Sequence, residues 1–340
     1  MVRRNRLALD EIATLDNLSL ALWKAGRGKR RQKEVRRYVA HLDAELEALR
    51  CGILNVNCPV GHYETFRVFD PKPRLIHAPR FRERVLHHAL IAKVGPVLDR
   101  ALVDDTFACR VGKGAHAAAL RAQHHVRRFP WYGQVDVRSY FASIGRERLL
   151  GMLSRRFKHR GLLQLLRRIV EGHDPTQDSA TGRGLPIGAL TSQHFANLYL
   201  NPLDRYLLEE LRMPAMVRYM DDSVFFGHSR EQVRDALQAV HDFVRQHLGL
   251  TLRDDYRLQR SQMGLSFVGF RIFAGTIRLS RRRAERYRRA RRRWEEAFAR
   301  GAIDARTLQA GYASALAITA HADSHGYRQL DLLRRPAPDA

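Results

Sequence analysis

A chain of 340 residues, with 60 Lys plus Arg against 35 Asp plus Glu and a formal net charge of +25, can bury a large core in one to three domains. Its 45% hydrophobic residues include no apolar run long enough to cross a bilayer, and no signal-like stretch follows Met1-Val2-Arg3-Arg4-Asn5, so a soluble cytoplasmic protein with no membrane partner is expected. The charge calls for a polyanion, and because the Arg-rich segments lack the wide apolar face of an interfacial helix, nucleic acid is favoured over a membrane surface.

Residues 7 to 50 read as mostly helical, with a basic break from Lys24 to Arg31. From Gln32 to Leu49, the residues Val35, Tyr38, Val39, Leu42, Leu46 and Leu49 share one helical face, a core face. Between Cys51 and Arg74 the chain turns irregular and β-rich, punctuated by Pro59, Gly61, Pro71 and Pro73. The three cysteines, Cys51, Cys58 and Cys109, show no CxxC spacing and read as reduced thiols. Helical periodicity returns from Arg80 to about Arg100, and Gly133-Gln134-Val135-Asp136-Val137 reads as a buried strand ending in an acid. A helix from Leu149 to Val170, a Gly-, Pro-, Asp- and Thr-rich loop from Glu171 to Gly184, and a helix from Thr191 to Leu211 follow. An amphipathic helix spans Arg230 to Leu248, two short strands run through Leu265 to Phe270, and the last 60 residues are helical and very basic. Strands and helices without a regular βαβ rhythm give an α+β class.

The most informative residues are Tyr219-Met220-Asp221-Asp222, set between the apolar runs Ala215-Met216-Val217 and Val224-Phe225-Phe226-Gly227. Two extended segments joined at an acidic pair read as a tight hairpin with both carboxylates at its tip. Adjacent carboxylates repel unless a cation neutralises them, so a divalent metal is the natural partner. An isolated Asp-Asp pair is more often a solvated turn, but apolar strands on both sides would bury this one.

This tetrapeptide resembles the palm hallmark of reverse transcriptases. Asp136-Val137-Arg138-Ser139-Tyr140-Phe141, an Asp with an aromatic five positions later, resembles their first palm motif. The resemblance implies that Asp136, Asp221 and Asp222 hold two Mg²⁺ ions, with the Val137 carbonyl as an extra ligand. Phe141 would exclude a 2′-hydroxyl beneath the incoming sugar; spacing alone allows core packing equally. Lys72-Pro73-Arg74-Leu75-Ile76 is similar to the family's first conserved block, which makes Lys72 and Arg74 the expected triphosphate contacts. Arg84 is equally suited to a structural ion pair. Phe107 to His116 resembles the next block, as in group II intron-type enzymes, and places Arg110 and Lys113 at phosphate or template. By the same resemblance Tyr219 and Met220 touch nucleic acid, and Gly264 to Phe270 looks like the primer grip, with Phe267 and Gly269 as contacts. Leu248 to Gln262 holds no lysine where many polymerases place a proton donor; Arg257 substitutes in position, but a guanidinium is a poor acid.

Leu185-Pro186-Ile187-Gly188-Ala189-Leu190-Thr191-Ser192-Gln193 reads IGxxxSQ where most relatives have QGxxxSP. That variant resembles the signature of reverse transcriptases from diversity-generating retroelements, bacterial and phage systems that copy a template RNA with errors at adenines and install the cDNA by mutagenic retrohoming. The resemblance sets Gly188 and Gln193 at the incoming nucleotide. Ile187 removes a hydrogen-bonding amide and Gln193 restores an N–H that proline lacks, so both changes would loosen geometric checking of the template base. The competing reading is neutral drift at two packing positions.

Arg278 to Arg293 contains ten arginines. On a helix, Tyr287, Ala290, Trp294, Ala297 and Phe298 form an apolar stripe with arginine over the remaining surface. Arg282, Arg289 and Arg292 are expected on duplex phosphates, with strongly salt-dependent binding. The chain is therefore expected to take the right-hand polymerase fold, with an N-terminal helical extension over 1–50, fingers and palm over 51–273, a helical thumb over 274–335 and a tail over 336–340. No stretch is left for RNase H, integrase, endonuclease or maturase domains. The implied partners are template RNA, the primer–cDNA duplex, dNTPs and a small basic accessory variability protein (Avd). Two alternatives stay open. One is a group II intron- or retron-type reverse transcriptase, disfavoured by IGxxxSQ and the short tail. The other is a non-catalytic RNA-binding scaffold on a polymerase palm, disfavoured by the three carboxylates.

Overall fold

The computed structural model describes residues 4–69, 73–172 and 182–337. Along the chain run α1 (Leu9–Ile12), α2 (Leu15–Gly26), α3 (Lys33–Ala40) and α4 (Leu42–Leu54), then strands β1 (Tyr63–Phe69) and β2 (Pro73–Pro79) and helix α5 (Phe81–Asp99). Next come α6 (Ala115–Arg128), β3 (Trp131–Val135), α7 (Tyr140–Ser143), α8 (Arg146–Ser154), α9 (Arg160–Glu171) and α10 (Leu190–Arg205). The remainder holds β4 (Ala215–Tyr219), β5 (Asp222–Gly227), α11 (Arg230–Leu248), β6 (Arg257–Arg260), β7 (Leu265–Phe267), β8 (Phe270–Ile272) and β9 (Ile277–Leu279), then α12 (Arg281–Ala299), α13 (Ala305–Thr319) and α14 (His325–Arg334). Among the described residues no helix is long and apolar enough to cross a membrane. The chain divides into two compact units.

The first unit comprises Met1–Asp104, Asp136–Tyr206 and Ala239–Asp254. Its centre is α5, which buries Phe81, Val85, Leu86, Ala89, Leu90, Val94 and Leu98 around most of its circumference, as a helix enclosed by others must. Helix α2 is pinned to it by Asn17, whose buried Nδ2 donates to the carbonyls of Ile12 and Ala89 at 2.8 and 3.0 Å. The helix expected from Gln32 to Leu49 is broken at His41 (φ −120°, ψ 37°), and α4 continues to Leu54. The break changes the facing of the turn before it. Val35, Tyr38, Leu46 and Leu49 are buried as expected, whereas Val39 is 51% exposed. The helix expected from Leu149 to Val170 is likewise two helices, separated by a turn that buries the Phe157 ring. Strands β1 and β2 form an antiparallel hairpin with Phe66 opposite Ile76.

The second unit comprises Asp105–Val135, Leu207–Gln238 and Asp255–Ala340. Its four-stranded sheet has the order β4-β5-β3-β6, with antiparallel neighbours throughout; β7, β8 and β9 form a separate three-stranded sheet. Phe107, Ala118, Ala122 and Val126 pack with Tyr132, Val217, Val224 and Phe226 from the larger sheet and Phe267 and Phe270 from the smaller. Each such aromatic contributes roughly 2–3 kcal/mol by leaving water. Gly133 is fixed by this packing, since a Cβ there would lie 2.6 Å from Phe225 Cε2 on the neighbouring strand. In α12, Tyr287 is buried and the Trp294 indole lies against α13, where a Cβ on Gly311 would meet it at 2.3 Å. One arginine departs from the expected outer coat. Arg291 is 0% exposed and paired with Glu295 at 3.3 Å and Asp331 at 3.4 Å, because its turn of the helix faces α14 rather than solvent.

Candidate active site

The acidic pair stands at the turn between β4 and β5, closed by the Tyr219–Asp222 register pair. Met220 occupies the left-handed region at φ 59°, the backbone reversal that a two-residue hairpin turn demands. Beneath it lies Arg218, 0% exposed on β4. Its Nη1 donates to the Met220 carbonyl at 2.9 Å and its Nη2 to Thr106 Oγ1 at 3.5 Å. The backbone around Thr106 runs parallel to β4 and is held by Arg218 N to Asp105 O and Phe107 N to Arg218 O, both 2.9 Å. A buried, fixed guanidinium thus ties the backbone of the acidic turn to the Thr106 segment. On the adjacent strand, Gln134 Nε2 donates to Asp222 Oδ1 at 2.9 Å and to the Ser266 carbonyl at 3.1 Å. Tyr219 is half-buried against the core, and burial, with a smaller contribution from Cys109, pushes its phenol pKa up.

In the first unit, the Asp136 carbonyl accepts from Arg253 N at 2.9 Å, and its Oδ2 lies 3.5 Å from Arg253 Nε. Arg138 N donates to Thr251 O at 2.8 Å, so Val137 and Leu252 face each other in a short antiparallel bridge. The Val137 side chain is buried, and its carbonyl takes no part in that bridge. Phe141 stays half-exposed, its ring edge-on to Tyr140 and its carbonyl accepting from Leu185 N at 2.8 Å. It is not a core side chain.

The Ile187-Gly188 segment docks on β2. The Ile187 carbonyl accepts from His77 N at 2.7 Å. Gly188 has φ +122°, and a Cβ there would lie 2.9 Å from both the His77 carbonyl and Ile76 Cγ2. The close approach this glycine permits is therefore to the chain's own strand. Ile187 and Gln193 are half-buried.

Arg74 is exposed on β2, opposite Val68; Lys72 lies outside the described residues. Arg84 donates to the Pro79 carbonyl at 3.1 Å, a structural role. Arg110 donates to Thr106 O at 3.0 Å, and Lys113 Nζ stands 5.2 Å from the Phe107 ring centre, so both brace the loop behind the acidic turn. Arg282, Arg289 and Arg292 are exposed on α12. Gly269 is exposed at φ +83°. Phe267 requires correction. It is 2% exposed inside the core, because alternation along β7 turns it inward, and its side chain cannot touch nucleic acid. Arg257 is exposed on β6, opposite Gln134.

Sequence reasoning missed Gln134, Arg218, Arg253 and His77. For the first two a signal existed, a single polar residue within an otherwise apolar buried strand.

Among the described residues no three His, Cys, Asp or Glu side chains gather into a metal cage. Carboxylate oxygens at an open turn nonetheless suit Mg²⁺, which is held by one or two carboxylates plus substrate phosphates rather than by an all-protein cage.

Residues 70–272, more than half of the chain, match the family model of reverse transcriptase (RNA-dependent DNA polymerase). The chain belongs to the reverse transcriptase family. The α+β right-hand polymerase fold expected from the sequence goes with that membership. Among curated relatives, the group II intron-encoded protein LtrA of Lactococcus lactis subsp. cremoris is 22% identical over 153 residues, 44% of this chain and 26% of that protein. A 91 kDa protein in the cob intron of Schizosaccharomyces pombe is 26% identical over 140 residues, 40% of this chain and 17% of that protein. The matched stretches span less than a third of these relatives' lengths. Of solved structures, apo telomerase from Candida tropicalis aligns with a TM-score of 0.48 at 10% identity, covering 67% of this reverse transcriptase and 49% of that chain.

Proposed function

We propose that this reverse transcriptase is an active RNA-directed DNA polymerase that performs nucleotidyl transfer with Asp136, Asp221 and Asp222. The observation that carries the reading is the strand register. Val135 pairs with Ser223, directly after the Asp221-Asp222 turn, and the chain passes from Val135 straight into Asp136. In this reading the three carboxylates and the Val137 carbonyl hold two Mg²⁺. When bound, these ions supply Lewis-acid activation of the primer 3′-hydroxyl and neutralise the triphosphate. Gln134 orients Asp222 and Arg218 fixes the turn. Lys72 and Arg74 take the triphosphate, Phe141 limits the sugar to a deoxyribose, and Arg282, Arg289 and Arg292 follow the template–primer duplex. Residues 51–273 then serve as fingers and palm and 274–335 as thumb, preceded by the helical 1–50 and followed by the tail 336–340.

The finer reading is a retroelement enzyme that diversifies a gene through error-prone cDNA made from a template RNA, in the cytoplasm and with an accessory variability protein. IGxxxSQ at Ile187 to Gln193 supports it. A group II intron- or retron-type enzyme is the second reading, and the similarity to the group II intron-encoded protein LtrA is compatible with it. Extension of a DNA primer on RNA by the purified protein, with Asp221→Ala/Asp222→Ala as control, tests the chemistry. Activity in wild type alone is expected, and equal signal in the control would defeat the assignment. Sequencing the product separates the two readings: errors concentrated opposite template adenines favour diversification, and a flat low error rate favours the intron type.

A further inference from the structure

At the far end of β3 from the acidic turn, the second unit holds a cleft of about 360 Å³ with no acidic side chain among its described lining residues. Three guanidinium groups line it, from Arg127, Arg128 and Arg260, together with the rings of Phe129 and Trp131. Arg260 stands over the Trp131 indole at 5.2 Å and Arg128 over Phe129 at 5.5 Å. Arg127 is tied down by its Nε, which donates to the Ala274 carbonyl at 2.6 Å. At the floor is Ser261, 3% exposed, whose Oγ is buried without a hydrogen-bond partner.

These features share one chemistry. Exposed arginines beside aromatic faces, with no carboxylate among the described lining residues, suit phosphate and a planar base together. The volume sits at the low end for ligand clefts, roughly 300–1,000 Å³, so it admits one unit of a flexible strand and excludes a duplex. Trp131 pairs with Gly227 while Val135 pairs with Ser223. The cleft is therefore roughly 13 Å along the strand from the acidic turn and is not where a nucleotide would be added.

We infer that this cleft binds a nucleotide of single-stranded RNA, with its phosphate on Arg128 and Arg260 and its base against Trp131. It rests on RNA being the protein's polyanion, as in the proposed function, but not on catalysis. The site would hold a template strand at a second point, away from synthesis.

The test uses the full chain with fluorescein-labelled oligo(rU), its affinity measured by anisotropy across a salt series, beside extension of a short primed RNA duplex. Arg128→Ala/Arg260→Ala should weaken oligo(rU) binding about tenfold or more and lower the salt slope by about 1.4, two released counterion contacts on a single strand. Trp131→Leu should weaken binding about tenfold and leave that slope unchanged. Extension of the short duplex should be unaltered in both. Unchanged oligo(rU) affinity and slope in variants that melt like wild type would overturn the inference. So would polyglutamate competing as well as RNA of equal charge, which would mark an acidic protein as the occupant. If wild type itself extends no primer, the polymerase reading falls, while the binding comparison still decides the cleft.

Discussion

Gln134 and Asp222 are joined across β3 and β5 by a 2.9 Å hydrogen bond from the amide to the carboxylate, and the same amide nitrogen reaches the Ser266 carbonyl at 3.1 Å. One aspartate of the acidic pair therefore has its direction set by a neutral neighbour, itself held by the start of the next sheet. A ligand carboxylate oriented in this way owes much of its affinity to the orienting group. Gln134→Leu is expected to lower primer extension about 10–100-fold and to raise the Mg²⁺ concentration needed for half-maximal rate. A magnesium titration of the extension rate checks both effects, and an unchanged midpoint would separate Gln134 from metal binding.

Arg218 fixes the turn from below. Replacing this buried cation leaves the Met220 carbonyl without its donor. Arg218→Met is expected to cost about 1–3 kcal/mol of folding stability, read from the urea midpoint at constant m-value. A loss under about 1 kcal/mol would show that water or a neighbour replaces the guanidinium.

Gly188 and Ile187 should respond differently to substitution. Gly188→Ala forces a Cβ to 2.9 Å from the His77 carbonyl at a φ of +122°, for which a cost of about 2–3 kcal/mol is expected. Thermal unfolding measures it. Ile187→Gln changes a half-buried side chain without touching the backbone bond to His77. It is expected to shift stability by no more than about 1 kcal/mol while lowering misincorporation opposite template adenine. An unaltered error spectrum would count the residue as packing alone.

His125 gives the protein an acid-sensitive core. It is packed with Phe129 and Phe226, and burial, followed by the nearby Arg121 and opposed by Asp105, pushes its pKa from the ordinary 6.5 down to about 4. The unfolded chain then binds the proton more readily than the folded one. Stability is full above pH 6.5 and falls as pH drops toward 4, by up to about 3 kcal/mol for this group. His125→Phe should flatten that part of the stability–pH curve, measured by urea unfolding between those limits. A slope equal to wild type would assign the acid sensitivity to other histidines.

The acidic hairpin was legible because two apolar runs and a charged pair overdetermine it; no other local structure buries β4 and β5 while exposing Asp221 and Asp222. Helix α11 was legible from a strong period, whereas α5 and the strand before Asp136 were legible as apolar stretches enclosed on most sides. The helix breaks at His41 and near Phe157 were not, since neither carries proline or glycine and both are imposed by tertiary packing. Phe267 and Arg291 failed in opposite directions. A motif position suggested contact where strand alternation dictates burial, and an arginine-rich run suggested solvent where one helical turn meets Glu295 and Asp331. Gln134 and Arg253 belong to segments distant in sequence from the acids they hold, and no spacing rule links them.

With φ at 59°, Met220 stands in a backbone region that β-branched residues enter only at heavy steric cost. Valine or isoleucine there would add steric strain at the reversal that carries both acids, of the kind Val56 and Val268 bear at φ 54° and 43°. An unbranched β-carbon is what allows a long side chain at this spot. Backbone handedness thus narrows the choice of residue beside the acids before any base or sugar has a say.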